Sequence, residues 1–293
     1  MKLVVIGASG LVGSHVWKLA SKTGLSVTGT TRSAASTSLR QLQAADETTL
    51  KVFLESEKPD AVVYAAGWTW VDGCEKDSAR SRRENHDYPV WVAKWCQARG
   101  AKFAYFSTSY VFDGHKRNYK ETDAVSPINV YGRDKADAEK SILEATAGSA
   151  LILRLISVWG QEAAQKNFFY QVQRAIETGA SMVLPADQCG NPSWAGDIAE
   201  WTLKLIDVGQ SGVWHLAGSS PDMTRPEWAR RIANGLKKAG RTGELKLTEC
   251  STQELKQPAL RPLLAGMNTE KVQAFHAITC RSPEDLNGLI NNF

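Results

Sequence analysis

Through the first part of the chain, short apolar runs rich in β-branched residues alternate with stretches whose apolar positions recur every three to four residues. Lys2 to Ile6 reads as a buried strand, and from Leu11 the positions Val16, Leu19 and Ala20 follow a helical period. Leu25 to Thr30 predicts a second strand, Asp60 to Gly67 a third and Lys102 to Phe106 a fourth, with a helix over 79–97 carrying Val90, Val92, Ala93 and Trp95. Leu151 to Leu155 and Gly212 to Leu216 add two more strands. Strands and helices in this order predict a parallel sheet with helices on both faces and a ligand site at the carboxyl ends of the strands.

After Gly160 the regular alternation stops. Asn167 to Thr178 predicts an amphipathic helix, Met182 to Leu184 a short strand, and Asp187 to Ser193 a turn-rich segment with amide and carboxylate groups. Thr224 with Glu227 forms a capping box before a helix running to about Lys238, and Ser282, Pro283 and Asp285 open a last one.

Composition adds exclusions. The 293 residues are 43% hydrophobic, enough to bury a sizeable core, and the net charge of +4 is scattered apart from clusters such as Arg80-Ser81-Arg82-Arg83. That argues against nucleic acid as a partner and suits an anionic small molecule. No run of about 18 apolar residues could span a membrane, and Met1 leads straight into the first strand without the layout of a cleavable signal, so a cytoplasmic protein with no membrane partner is expected. Five cysteines without C-x-x-C spacing and five histidines without ligand spacing indicate neither a disulfide framework nor a metal site.

The first strand runs into Gly7-Ala8-Ser9-Gly10-Leu11-Val12-Gly13 and then a helix. In that context glycines permit a tight turn and close approach of backbone amides to a pyrophosphate, whose charge the helix N-terminus favours. The expected cofactor contacts are therefore Gly7, Ser9, Gly10, Leu11, Val12 and Gly13. At the end of the second strand, Thr31 and Arg32 stand where an NAD site would place an acid; arginine there can accommodate a 2′-phosphate, which predicts NADP(H). Ala65, Ala66 and Gly67 end the third strand in small residues that let backbone approach the ligand.

Tyr131 and Lys135 are spaced i, i+4 in a helical segment and so share a face. A fixed positive charge lowers the pKa of a phenol, which makes the pair a proton donor and acceptor for carbonyl/alcohol interconversion. Ten tryptophans are present; Trp68 and Trp70, just after a strand end, are read as packing or contact residues rather than as stacking platforms.

Taken together and in order, Gly7 to Gly13, Ala65-Ala66-Gly67, Ser107-Thr108-Ser109 and the Tyr131/Lys135 pair resemble the extended short-chain dehydrogenase/reductase family. Val71-Asp72-Gly73-Cys74-Glu75, Tyr110 to Gly114, Asn129 to Gly132, Asn167-Phe168 and Asp187 to Ser193 are similar to its dTDP-4-dehydrorhamnose reductase branch. The resemblance implies catalysis by Thr108, Tyr131 and Lys135, with Lys135 also binding the nicotinamide ribose and lowering the Tyr131 pKa. It implies a further cofactor contact at Gln43, which replaces an aspartate common in the family, and a structural or relay role for Asn85 that competes with a plain helix-surface amide. Substrate contacts are expected at Thr108, Ser109, Ser157, Asn167, Gln188 and Arg261; Ser157 stands where the branch usually has a tryptophan.

The fold expected is therefore α/β, a Rossmann-type doubly wound parallel sheet with a smaller, discontinuous C-terminal α+β substrate domain. Residues 1–158 with about 195–218 would form the NADP-binding domain, and 159–194 with 219–293 the substrate-binding one. The expected activity is NADPH-dependent reduction of a 4-keto nucleotide-activated deoxy-sugar. Alternatives are an epimerase, dehydratase or other carbonyl reductase on the same scaffold, or a non-catalytic NADP-binding regulatory subunit. A homodimer is compatible with the sequence.

Overall fold

The computed structural model describes residues 1–33, 38–44, 46–218 and 222–282. Its centre is a seven-stranded sheet, every pair parallel: β1 (Lys2–Ile6), β2 (Ser26–Thr31), β3 (Arg40–Gln41), β4 (Ala61–Tyr64), β5 (Lys102–Thr108), β6 (Leu151–Leu155) and β9 (Gly212–Leu216), in the order β3-β2-β1-β4-β5-β6-β9. This is the expected doubly wound topology, and the chain reverses its direction of travel between β1 and β4.

Strand alternation divides the core. Leu3 and Val5 of β1 point to one face, with α1 (Leu11–Lys22) and α8 (Ala195–Asp207) over them; Val4 and Ile6 point to the other, beneath α2 (Glu47–Glu57) and α5 (Tyr88–Arg99). Each fully buried valine or leucine contributes about 1.5–3 kcal/mol, and both faces of β1 collect such contributions. Between β4 and α5 lie α3 (Val71–Lys76) and α4 (Ser78–Arg82), and a π turn at Arg83–Asp87 runs on into α5. The sequence predicted one uninterrupted helix there.

Helix α6 (Val130–Ala145) follows β5 and a 3-10 turn at Ser109–Val111. Gly132 is required at its first turn, since a Cβ would stand 2.2 Å from the Tyr110 carbonyl oxygen. Beyond β6 comes α7 (Phe168–Thr178), which packs with α9 (Arg225–Lys238) around Phe169, Val172, Trp228 and Ile232. Two small ribbons border this second cluster: β7 (Ser181–Pro185) beside β11 (Lys246–Cys250), and β8 (Cys189–Gly190) beside β10 (Met223–Thr224). The parallel β7–β11 pair was not expected. The Thr224–Glu227 capping box forms as expected, α10 (Glu270–Phe275) closes the described part of the fold, and the box at Ser282–Asp285 runs beyond the described residues. No helix of the described residues is long and apolar enough to cross a membrane.

Candidate active site

The carboxyl ends of β1, β2 and β4 enclose a groove of about 280 Å³, and those of β4, β5 and β6 a cleft of about 570 Å³; Gly10, Ala65, Ala66 and Gly67 border both. The glycine turn is built unequally. Gly7 sits at φ 89°, where a Cβ would meet the Ala66 backbone nitrogen at 2.7 Å, and its amide donates to Thr30 Oγ1 at 3.1 Å. A Cβ on Gly13 would lie 2.3 Å from the Gly7 oxygen, so the helix can begin that close only with glycine.

Gly10 differs. Its φ is −82°, and a Cβ would meet nothing nearer than the Gly7 oxygen at 3.4 Å. It borders open groove instead, and the first turn of α1, which it caps, holds no acid and no side-chain cap. Exposed helix amides beside a glycine surface fit the diphosphate of a dinucleotide. Ser9 borders the groove, and Leu11 and Val12 border the cleft.

At the end of β2 two expectations shift by one residue. Thr31 is buried away from the groove, its hydroxyl 3.1 Å from that of Ser33, while Thr30 lines it; adjacent strand residues face opposite sides. Likewise Leu42 and Ala44 line the groove and Gln43 between them does not. Arg32 lines the groove 3.1 Å from Glu84, which also accepts from Arg80 Nε at 2.7 Å. An acid does reach this place, from the π turn rather than from β2, but two guanidinium groups surround it.

Asn85 is fully buried in the same π turn. Its Oδ1 accepts from the Trp68 amide and its Nδ2 donates to the Trp68 carbonyl, both at 3.0 Å, clamping the chain just after β4. This excludes the helix-surface alternative. Trp68 lies under Arg80 and edge-on to the exposed Trp70; neither tryptophan borders groove or cleft.

Thr108, Tyr131 and Lys135 all border the cleft. Thr108 ends β5, with Oγ1 accepting from the Tyr110 amide at 3.2 Å. Tyr131 and Lys135 project from the first two turns of α6, which Asn129 caps by accepting from the Gly132 amide at 2.7 Å. Burial pushes the Tyr131 phenol above its ordinary range, and the Thr108 hydroxyl opposes this by bonding it. Burial also lowers the Lys135 ammonium to about 7, against the pull of Glu139. Its Nζ is turned to the Tyr105 hydroxyl at 2.9 Å and the Phe106 carbonyl at 2.6 Å, and Tyr105 in turn donates to the Asn85 carbonyl at 2.8 Å.

Of the expected substrate contacts, Ser157 and Asn167 border the cleft, and Asn167 also caps α7 and donates to the Gly160 carbonyl at 2.8 Å. Ser109, Ser157 and Gln188 border a narrower cavity leading off it. Arg261 borders neither cavity: its guanidinium pairs with Asp72 at 2.9 Å, and the adjacent Pro262 borders the narrow one. Glu84 and Tyr105 were not foreseen. Tyr105 is an inward position of a buried strand and gives no separate signal, and Glu84 depends on the π turn.

The sequence profile described as the RmlD substrate binding domain matches residues 1–293. A probable low-salt glycan biosynthesis reductase of Haloferax volcanii is 32% identical over 291 residues, 97% of this chain and 94% of that protein. A dTDP-4-dehydrorhamnose reductase of Burkholderia thailandensis is 34% identical over 75% of this chain and 73% of its own length. Among solved structures, the Clostridium acetobutylicum dTDP-4-dehydrorhamnose reductase ortholog aligns with TM-score 0.86 at 26% identity, covering 100% of this chain and 99% of that one. The Bacillus anthracis dTDP-4-dehydrorhamnose reductase, solved in complex with NADP, has the same fold, with TM-score 0.88 at 22% identity over 100% and 99% of the two chains.

Proposed function

Because this chain belongs to the RmlD substrate binding domain family, we propose that it is an NADPH-dependent reductase of a 4-keto nucleotide-activated deoxy-sugar, with catalysis by Thr108, Tyr131 and Lys135. The observation that carries this reading is that those three side chains border one cleft continuous with the glycine-walled groove at the strand ends. The named relatives support the substrate class, and the groove supports the cofactor. Arg32 and Arg80 around Glu84 leave a surplus positive charge there, which favours a 2′-phosphate over a bare ribose.

Bound NADPH would supply the hydride that the carbonyl carbon takes up. Tyr131 gives its proton to the carbonyl oxygen, which becomes the new hydroxyl. Its raised pKa keeps the phenol protonated across the neutral range, so the donor is loaded before substrate arrives. The Thr108 hydroxyl shares the developing charge between substrate oxygen and phenolate. Lys135, held by Tyr105 and Phe106, adds positive charge when protonated. Glu139 helps keep that proton on. Residues 1–158 with about 195–218 would bind cofactor, and the remainder substrate.

The test is NADPH consumption with a panel of 4-keto sugar nucleotides. Oxidation of one NADPH per alcohol formed is expected; an isomeric product without net oxidation would assign an epimerase instead, and no turnover with any member would refute the reductase.

A further inference from the structure

Lys135 is held by two groups that can only accept from it. Its Nζ donates to the Tyr105 hydroxyl at 2.9 Å and to the Phe106 carbonyl at 2.6 Å. A hydroxyl can donate as well as accept, but Tyr105 has already committed its proton, to the Asn85 carbonyl 2.8 Å away. One residue explains why that carbonyl takes it. An α-helix would satisfy the Asn85 carbonyl with the N–H four positions on, and that position is Pro89, which has none. The π turn at Arg83–Asp87 and the proline after it thus turn a backbone acceptor toward β5. Burial first, and then Tyr131, Glu139, Tyr64 and Asp134, hold the Tyr105 phenol well above its ordinary range, so it keeps its proton. Tyr105 is wholly buried and borders neither groove nor cleft, so it can influence the chemistry only through Lys135.

An ammonium carries three N–H groups in a tetrahedral arrangement, so fixing two of them leaves the third a single direction. Lys135 borders the cleft together with Tyr131. We propose that Tyr105 is a positioning residue: locked by the Asn85 carbonyl, it occupies one N–H of Lys135 as Phe106 occupies another, and so directs the third into the cleft beside the Tyr131 phenol. This rests on the reductase reading and assigns how the lysine of that site is aimed. The same lock serves the neutral amine, whose two N–H groups stay on Tyr105 and Phe106. Loss of the proton then changes only the side that faces the cleft, from a donor to a lone pair. The other titratable groups around the ammonium are Glu139, one turn on along α6, Cys74 of α3 and Tyr131. Burial works against the charge, and Glu139 and Cys74 favour it.

The test follows Lys135 itself. The full chain, labelled with carbon-13 at lysine Cε, is titrated by NMR from about pH 5 to about pH 10, the Lys135 signal being the one lost in Lys135→Met. Tyr105→Phe keeps the ring, whose centroid lies 4.3 Å from Nζ, and removes only the hydroxyl. A hydrogen bond from an ammonium is stronger than one from a neutral amine. The Lys135 midpoint, about 7 in the unaltered protein, should therefore fall by about 0.5–1 pH unit. The descending limb of kcat/KM for reduction should move down with it, and kcat/KM at about pH 7 should drop about 10- to 100-fold. A hydroxyl that served only to satisfy the Asn85 carbonyl would lower the melting temperature and leave the midpoint in place. A midpoint that is unmoved or raised in Tyr105→Phe overturns the proposal. Should Tyr105→Phe not fold, a ring-fluorinated tyrosine incorporated in place of Tyr105, whose hydroxyl is a weaker acceptor, is expected to lower the midpoint by a smaller step, and no change overturns the proposal. NADPH consumption by the unaltered protein is scored separately: its absence refutes the reductase reading, whereas the Lys135 titration is decided with or without turnover.

Discussion

Tyr131 and Lys135 carry opposite pKa displacements from the same cause, burial, and their consequences separate experimentally. Tyr131→Phe removes the proposed proton donor and little else. Turnover should fall by about 100- to 10,000-fold while NADP binding, read by fluorescence titration, stays close to unaltered. Lys135 is charged only below about pH 7. Because kcat/KM reports the free enzyme, a falling limb near that pH is expected for reduction, and a profile flat from about pH 5 to about pH 9 would dissociate the lysine charge from catalysis. Stability follows the same group. Its folded pKa is depressed, so the unfolded chain holds more protons between about 7 and the ordinary 10.5. The cost of burying the ammonium is therefore full below that window and fades as pH rises through it. The Tyr/Lys pair could be picked out in sequence because i, i+4 spacing is local. That the ammonium would be turned to Tyr105 and Phe106 could not, since those partners lie on β5.

At the scale of elements, the glycine turn offers a contrast among residues that look alike in sequence. Gly13→Ala would place a methyl 2.3 Å from the Gly7 oxygen and should destabilise the protein by about 1–3 kcal/mol, seen as a lower melting temperature. Gly10→Ala meets only an ordinary 3.4 Å contact and should melt within a degree or so of the original. Its methyl borders the groove, however, so its NADP affinity should drop; unchanged affinity would remove the diphosphate from that place. Six of the seven strands of the main sheet were readable in sequence; β3, only the exposed Arg40 and Gln41, was not. The π turn at Arg83–Asp87 was not, because inserting one residue per turn leaves a helical pattern that merely changes face. It matters to the site, since it presents both Glu84 and Asn85. Strand β11 was missed for another reason: its Lys246–Cys250 pattern is largely exposed and lacks an apolar run.

Across the whole molecule, the cleft is tied to the core by a buried charge network. Arg154 of β6 pairs with Glu139 of α6 at 2.7 Å, Glu139 accepts from the Ser107 hydroxyl beside Thr108, and His215 of β9 stands 3.4 Å from Arg154. Both ion-pair partners are almost wholly inaccessible. Arg154→Met would strand the Glu139 carboxylate and should cost about 3–5 kcal/mol, measured by urea denaturation, whereas Arg154→Met combined with Glu139→Gln should recover part of it. Burial next to His215 and Phe112 also explains why the network was not legible: its members come from three strands and a helix that only the finished sheet brings together. Most strands of the main sheet could be laid out from sequence period, whereas the small ribbons could not, because they pair residues such as Ser181 and Lys246 across long separations.

On the proposed mechanism, a hydride and the Tyr131 proton add across a sugar carbonyl in this cleft. NADPH deuterated at the transferable nicotinamide position, incubated with dTDP-4-dehydrorhamnose and analysed by mass spectrometry and proton NMR, tests it most directly. One deuterium at C4 of the product sugar, with labelled product all but lost in Tyr131→Phe, is the result predicted. Product lacking the label, or label incorporated undiminished by Tyr131→Phe, would contradict it.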